Sequence, residues 1–166
     1  MFWFSFSEVL PILRPFIGWC ANTAIGTFIH SVTWAFPLVE AIHIVALVVL
    51  LGTTMLVNFT LLGIVRGWSP SRVAHNVSWY SNCALVGVIV TGVLLFVSDP
   101  WRYYANEAFG LKILMLGLAV LVQFTIYPRV VRIDPAFTRL PGRLVACVSL
   151  ALWFGIGAAG RAIAFV

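Results

Sequence analysis

Four long apolar stretches follow one another along this chain, separated by short polar segments. They cover roughly residues 37–65, 75–98, 108–128 and 142–165, and charged side chains are nearly absent from them. A bilayer core of about 30 Å requires roughly 20 apolar residues in a helix. Because each stretch reaches that length, the pattern predicts an all-α integral membrane protein, with residues 33–166 forming an up-and-down bundle of four transmembrane helices.

Residues 1–32 precede the first span and are too polar, and too interrupted by Pro11 and Pro15, to cross the membrane. An apolar stripe opposite a polar one is typical of helices that lie in the membrane interface. The segment therefore predicts one or two short amphipathic helices on the periplasmic side, with an irregular arm as the alternative. The residues expected to share the apolar face are Phe16, Ile17, Ala21, Ala24, Ile25 and Phe28.

Basic residues are distributed unequally between the predicted loops. One face of the bundle carries the arginines Arg66, Arg72, Arg129, Arg132, Arg139 and Arg143. The other face carries Arg14, Arg102, Lys112 and Arg161. Because cytoplasmic loops carry an excess of Lys and Arg, the arginine-rich face is expected in the cytoplasm of a bacterium. Both termini of this multi-pass inner-membrane protein are then expected on the periplasmic side.

Composition narrows the partners of the chain. Hydrophobic residues make up 62% of it and charged residues only 9%, against about 25% charged residues in a soluble domain. The net charge of +5 comes from basic residues scattered between apolar runs, without the basic stripe typical of nucleic-acid binding. The expected partners are the lipid bilayer and further membrane subunits or a second copy of the chain, and not nucleic acid.

Glu40 and His43 are the sharpest candidates for a ligand or cofactor site, since ionisable residues inside a membrane span are costly and usually functional. Their spacing of three residues puts both on one face of the first long helix. Lys112 and Arg161 are expected at the same membrane depth and join the candidate site. The face that holds Glu40 and His43 continues through Leu47, Leu50, Thr54 and Asn58.

A purely structural interpretation of this cluster stays open. Glu40 lies in the first turn of its predicted helix, where the helix dipole favours a carboxylate, and His43 can be its hydrogen-bond partner. Glu40 with Arg161, and Asp99 with Lys112, can also form buried ion pairs.

A cofactor centred on His43 is a further alternative. Haem b is one option, with the second axial ligand from His30, from Met115 or from the same histidine of a second copy. Copper is the other option, held by His43, His30 and Glu40 with Cys20 as a further ligand. Neither ligand set is complete by spacing alone, so the cofactor stays open between haem b, copper and none.

Asn58, His75, Asn82 and Gln123 form a second polar group, expected at similar depth in the other half of the bundle. Such side chains link membrane helices by hydrogen bonds of about 1 kcal/mol each, and the same groups can bind a small polar ligand. The run 155–160 spells G-x-G-x-x-G, but it follows no strand and lies within the last apolar stretch. We interpret it as small residues that allow close helix packing.

The first span opens on the string Trp34-Ala35-Phe36-Pro37-Leu38-Val39-Glu40-Ala41-Ile42-His43 and continues through Leu51-Gly52 and Leu61-Leu62-Gly63. In these positions the chain resembles an uncharacterised family of small bacterial inner-membrane proteins, from about Ile25 to the C-terminus. The resemblance implies that Trp34, Pro37, Glu40 and His43 are motif residues, and it implies no reaction.

A second, weaker resemblance rests on Thr91-Gly92-x-x-Leu95-Phe96, Tyr104-x-Asn106 and Phe109-x-x-Lys112. In these positions the chain is similar to copper-resistance-D-like and cytochrome-b561-like four-helix membrane proteins. That similarity implies a role near copper or membrane electron transfer.

The residues together favour a non-catalytic membrane module, either an accessory subunit of a membrane complex or a ligand-binding bundle. The sequence has no nucleophile–base pair, phosphate loop or complete metal shell that would indicate an enzyme. A periplasm-facing redox or metal-handling module is the alternative, and a small-molecule transporter is the third hypothesis.

Overall fold

The computed structural model describes residues 11–126 and 139–162. Every regular secondary-structure element in this part of the chain is a helix. A 3₁₀ turn at Pro11–Leu13 comes first, and a π-helical turn at Val122–Ile126 extends the sixth helix. The α-helices are α1 (Arg14–Ala21), α2 (Ala24–Ser31), α3 (Ala35–Leu62), α4 (Pro70–Ser98), α5 (Pro100–Ala105), α6 (Glu107–Leu121) and α7 (Arg139–Ala162).

Four helical segments are long and apolar enough to cross a membrane. They are Ala35–Leu62, Pro70–Ser98, Glu107–Thr125 and Gly142–Ala162. These segments coincide with the four predicted spans to within a few residues, and α4 begins earlier than expected. Length and composition are therefore consistent with a membrane protein.

Local chemistry explains where these helices begin and end. α3 ends before Gly63, whose positive φ of 79° is the left-handed conformation that closes helices. α4 begins at Pro70 because the Ser69 side chain accepts a hydrogen bond from the Arg72 N–H, and proline suits the first helical position. Asn106 caps α6 in the same way, by accepting from the Phe109 N–H.

The long helices pack in the spatial order α4, α3, α7, α6. α3 lies along α4, α7 packs against both α3 and α6, and the backbones of α4 and α6 make little direct contact. α6 is the most peripheral of the four, since 6% of its apolar window is buried against 28–33% for the others. The core between the helices consists of Leu50, Ala84, Leu85, Val88, Ala119, Trp153 and Ile156.

The N-terminal segment forms two short helices, α1 and α2, rather than one continuous amphipathic helix. The Thr23 side chain starts α2 by accepting a hydrogen bond from the Gly26 N–H, which breaks the helical path after α1. The members of the predicted apolar face divide between exposed and buried positions, and contact of this face with a membrane interface stays a prediction. Phe16, Ile25 and Phe28 are exposed, whereas Ile17, Cys20, Gly26 and Ile29 are buried.

Residues 127–138 lie outside the described part of the chain. They include Arg129 and Arg132 of the third predicted loop. α7 begins at Arg139, so Pro141 and Gly142 lie in its first turn. Proline is tolerated there because the first turn of a helix has N–H groups without intrahelical partners.

Candidate functional site

His43 is the best-defined polar group between the long helices. It is 8% exposed on the inner face of α3, and its Nδ1 atom lies 2.7 Å from the Oγ1 atom of Thr91 on α4. The ring also lies close to the α4 backbone at Gly92, where a Cβ would be 3.5 Å from the His43 Cε1 atom, an ordinary van der Waals contact. The imidazole therefore packs against α4.

The hydrogen bonds of Thr91 assign the tautomer of His43. The Thr91 hydroxyl donates to the Gly87 carbonyl oxygen, 2.6 Å away, and has no second hydrogen to give. Its oxygen therefore accepts from the Nδ1–H of His43. The Nε2 atom then carries the lone pair of the ring.

Lys112 lies on the opposite side of this site. Its Nζ atom is 3.4 Å from the point that a Cβ on Gly160 would occupy, so the side chain runs across the last turn of α7. The charge of Lys112 acts on the His43 ring. No carboxylate among the described residues forms an ion pair with Lys112.

Each long helix thus contributes one element of the site: His43 from α3, Thr91 from α4, Lys112 from α6 and Gly160 from α7. At 1.5 Å per residue, His43 is about 12 Å from the start of α3 and Lys112 about 8 Å from the start of α6. The site therefore lies about 10 Å from the starts of α3 and α6, and on α7 it lies at the last described turn. We call these residues the His43–Lys112 site.

Three aromatic rings lie towards the adjacent helix ends. The rings of Phe96 and Phe109 stack between α4 and α6 with centroids 5.6 Å apart. Tyr103 of α5 packs against both, at 6.3 Å from Phe96 and 5.2 Å from Phe109. Glu40 acts electrostatically on Tyr103, which places this carboxylate near the aromatic rings.

The predicted Glu40–His43 hydrogen bond is wrong. Glu40 is exposed, and the partner of His43 is Thr91. Residues three apart are rotated by about 60° around a helix, and the buried face of α3 passes through His43, Leu50 and Thr54 without including Glu40. The expected Asp99–Lys112 ion pair is also absent from the described residues.

The expected copper ligands do not come together. His30 is exposed in the last turn of α2, and Cys20 is buried in α1. Within residues 11–126 and 139–162, no three His, Cys, Asp or Glu side chains are grouped closely enough to hold a metal ion. Met115 packs against Gly155 of α7. The positive charge of Lys112 beside His43 also disfavours a second cation there.

Two other candidates lie on the surface of the described chain. Trp34 is exposed just before α3, where its side chain makes no capping hydrogen bond. Arg161 is exposed in the last turn of α7, one residue after the glycine that Lys112 contacts. Its expected depth therefore agrees with that of Lys112.

The second polar group is only partly brought together. Asn58 is completely buried and its Nδ2 donates to the Ser149 Oγ of α7 at 3.1 Å, while its Oδ1 has no partner within the described chain. Thr54 Oγ1, one turn earlier on α3, is likewise buried without a described partner. His75 and Asn82 are exposed and Gln123 is half-buried, because the rotation of α4 turns the first two outwards.

Small residues at the end of the chain pack as the sequence predicted. A Cβ at Gly155 would collide with the Met115 side chain, and one at Gly160 would meet Lys112. The glycines thus let α6 side chains lie close to the α7 backbone. The sequence interpretation missed Thr91 and Ser149, although Thr91 stands in the string that carries the second resemblance.

The fold and site together define a class, an all-helical protein with four long apolar helices and with His43 and Lys112 as ionisable residues on two of them. The chain belongs to a family of unknown function (DUF6644), whose model matches residues 15–166. This agrees with the resemblance seen in the Trp34–His43 string. No curated protein and no solved structure matches the chain, so the second resemblance gains no support.

Proposed function

We propose that this chain is a non-catalytic membrane module that binds a small molecule at the His43–Lys112 site and serves as an accessory subunit of a membrane complex. We place it in a bacterial inner membrane with the arginine-rich face in the cytoplasm and the His43–Lys112 site in the periplasmic half. The positive-inside rule supports this orientation.

One observation carries the ligand-binding part of the proposal. His43 is buried against Thr91 of α4, the Lys112 charge acts on its ring, and no carboxylate of the described chain forms an ion pair with Lys112. Intramembrane ionisable residues commonly mark binding sites.

The position of α6 supports the accessory part. α6 contacts α7 extensively and the rest of the bundle little, and most of its apolar surface is uncovered within the described chain. Leu111, Leu114, Leu118 and Leu121 are exposed on it. A neighbouring membrane subunit that packs on this helix is the partner we propose.

Native mass spectrometry of the protein in a mild detergent tests ligand binding. We expect wild type to carry one molecule of constant mass, and Lys112→Met and His43→Phe to lose it. Arg72→Met and His75→Phe replace the same residue types at exposed positions and should keep it. A wild-type chain without such a molecule, or equal retention by all variants, contradicts ligand binding at this site.

Affinity purification from membranes tests the accessory role. We expect one membrane protein to co-purify in fixed ratio and to crosslink to a photoreactive group at Leu114 on the outer face of α6. The matched position is Val48, equally apolar and exposed on α3. Purification of the chain without any stoichiometric partner contradicts the accessory role.

A further inference from the structure

We propose that the outer face of α4 binds a second copy of the same chain, with Asn82 hydrogen-bonded to the same residue of that copy. This inference goes beyond the proposed function and shares with it only the placement of α4 in a membrane. It is carried by the exposure and depth of Asn82, by the side chains around it and by the hydrogen-bonding groups of its amide.

Asn82 is a polar side chain on the outside of the described bundle. It is exposed, and its amide forms no hydrogen bond with another described residue. Ser81, Ala84 and Leu85 of the same helix are buried. Asn82 therefore lies on the face of α4 that is turned away from the core.

The length of α4 gives the depth of Asn82. At 1.5 Å per residue, Asn82 lies about 18 Å from the start of α4 and about 24 Å from its end. The whole helix is about 43 Å long, which exceeds a bilayer core of about 30 Å by about 13 Å. Asn82 therefore lies inside the apolar core even if all of the excess length protrudes at the start of α4.

Contacts between α3 and α4 agree with this depth. The His43 ring meets Thr91, and a Cβ on Gly87 would lie 3.4 Å from the Ala46 Cβ, so the two helices run antiparallel. Five residues back from Gly87 along α4 then correspond to five residues forward from Ala46 along α3. Asn82 is therefore level with the middle of α3, which extends from Ala35 to Leu62.

An amide at this depth needs a hydrogen-bond partner. Transfer of an amide from water to hydrocarbon costs free energy unless it is hydrogen-bonded, and asparagine side chains commonly pair across membrane helices. The outer faces of α3 and α6 carry exposed apolar side chains such as Val45 and Leu114, which lipid can also cover. The exposed amide distinguishes α4 from both.

Exposed side chains continue the face of Asn82 along α4 at alternating spacings of three and four residues. They are Trp79, Asn82, Val86, Ile89 and Val93, which we call the Asn82 seam. Residues at this spacing meet along two helices that pack with a left-handed crossing. A single asparagine in an apolar seam fixes the register and number of helices, because other alignments bury its amide against hydrocarbon side chains.

A second copy supplies the partner that the seam requires. Two chains inserted in the same orientation and related by a two-fold axis place identical residues opposite each other at one depth. The amide has a carbonyl acceptor and N–H donors, so each Asn82 donates to the Oδ1 atom of the other. A different subunit needs a polar group of its own at that depth, whereas symmetry supplies it in the second copy.

Fluorescence energy transfer between donor-labelled and acceptor-labelled chains in phosphatidylcholine vesicles tests this inference. We expect a monomer–dimer equilibrium that responds to the lipid-to-protein ratio. Asn82→Leu should weaken dimerisation by about tenfold or more, the effect of losing a reciprocal pair of hydrogen bonds between helices. Asn82→Gln keeps the amide and should retain dimerisation. Asn76→Leu makes the same change at an exposed asparagine outside the seam and should behave like wild type.

Disulfide crosslinking in membranes locates the interface. With Cys20, Cys83 and Cys147 replaced by alanine, Val86→Cys should crosslink to its own copy on oxidation. Val45→Cys, equally exposed on the outer face of α3, should not. Circular dichroism must show wild-type helicity for each variant used.

Four results overturn the inference. They are a monomeric wild type at every lipid ratio, equal dimerisation by wild type and Asn82→Leu, crosslinking at Val45 instead of Val86, and a monomeric chain in which another membrane protein crosslinks at Val86. In the last case that protein covers α4. Ligand retention at the His43–Lys112 site and crosslinking at Leu114 are measured separately, so the proposed function survives each of these results.

Discussion

The hydroxyl group of Thr91 determines the orientation of the His43 ring and which of its nitrogens carries the hydrogen. Because Thr91 donates to its own helix and accepts from Nδ1–H, the ring is oriented and its Nε2 lone pair is directed away from α4. Threonine replaces the carboxylate that the sequence suggested as the partner of this histidine. A neutral partner adds no negative charge beside Lys112, which supports the proposed ligand site.

Tyr103 gives a residue-scale prediction about pH. Burial raises the pKa of Tyr103 above its usual value, and the carboxylates Asp99 and Glu40 raise it further against the opposing effect of Arg102. The folded chain therefore keeps this proton at a pH where the unfolded chain, with a pKa of about 10, has lost it. Its contribution to stability is fully present below about pH 10 and is lost as the pH rises towards the folded-state pKa.

Alkaline titration of tyrosinate absorbance measures this shift. The difference between wild type and Tyr103→Phe isolates one phenol, and we expect its midpoint above 10 in the folded protein and near 10 in denaturant. Equal midpoints in both states would show that Tyr103 is not buried among the aromatic rings.

At the scale of single residues, sequence predicted most of the α3 positions that lie inside but not what they touch. Of the predicted face, Leu47 is only partly buried and Glu40 is exposed. His43, Leu50, Thr54 and Asn58 are buried. Their partners Thr91 and Ser149 depend on how neighbouring helices are rotated about their axes. Thr and Ser occur on both faces of membrane helices, so periodicity alone does not identify such partners.

At the scale of helices, spans and turns were predictable because each follows from local chemistry. Apolar length fixes a span, and Ser69-Pro70 starts α4 for a reason visible in the sequence. The face that α2 buries was not predictable, since it is chosen by contact with α4. A helix that docks through glycine shows no apolar stripe at the point of contact.

Gly26 makes that docking testable. A Cβ at Gly26 would collide with the backbone carbonyl oxygen of Val97, whereas nothing lies within 4 Å of a Cβ at Gly52, on the exposed side of α3. Gly26→Val should lower the free energy of unfolding by about 1–3 kcal/mol through overpacking. Gly52→Val carries the same change of helix propensity without the collision and should stay near wild type.

Unfolding in mixed detergent, followed by circular dichroism, measures the two variants side by side. Comparing them cancels the shared effect of replacing glycine by valine inside a helical segment. A Gly26→Val protein as stable as Gly52→Val would mean that α2 does not pack against the end of α4.

At the scale of the whole molecule, the uneven burial of the four spans matters more than their number. α3, α4 and α7 share a core, while α6 is held mainly by α7 and carries the site lysine. Lys112 lies on the most peripheral of the four long apolar helices, whereas His43 lies on a helix that packs against both α4 and α7. The division of the site between a firmly packed and a loosely packed helix suits reversible binding.

The proposed orientation predicts which turns face the periplasm. The test starts from a variant in which alanine replaces Cys20, Cys83 and Cys147. Single cysteines are then introduced at Ser71, in the first turn of α4, or at Ala105, the last residue of α5. Both positions are exposed. Because one full span separates them, a membrane-impermeant maleimide should label Ala105→Cys in intact bacterial cells and Ser71→Cys only after the membrane is disrupted. The reverse pattern would put the His43–Lys112 site in the cytoplasmic half, and labelling of both in intact cells would mean that α4 does not cross the membrane.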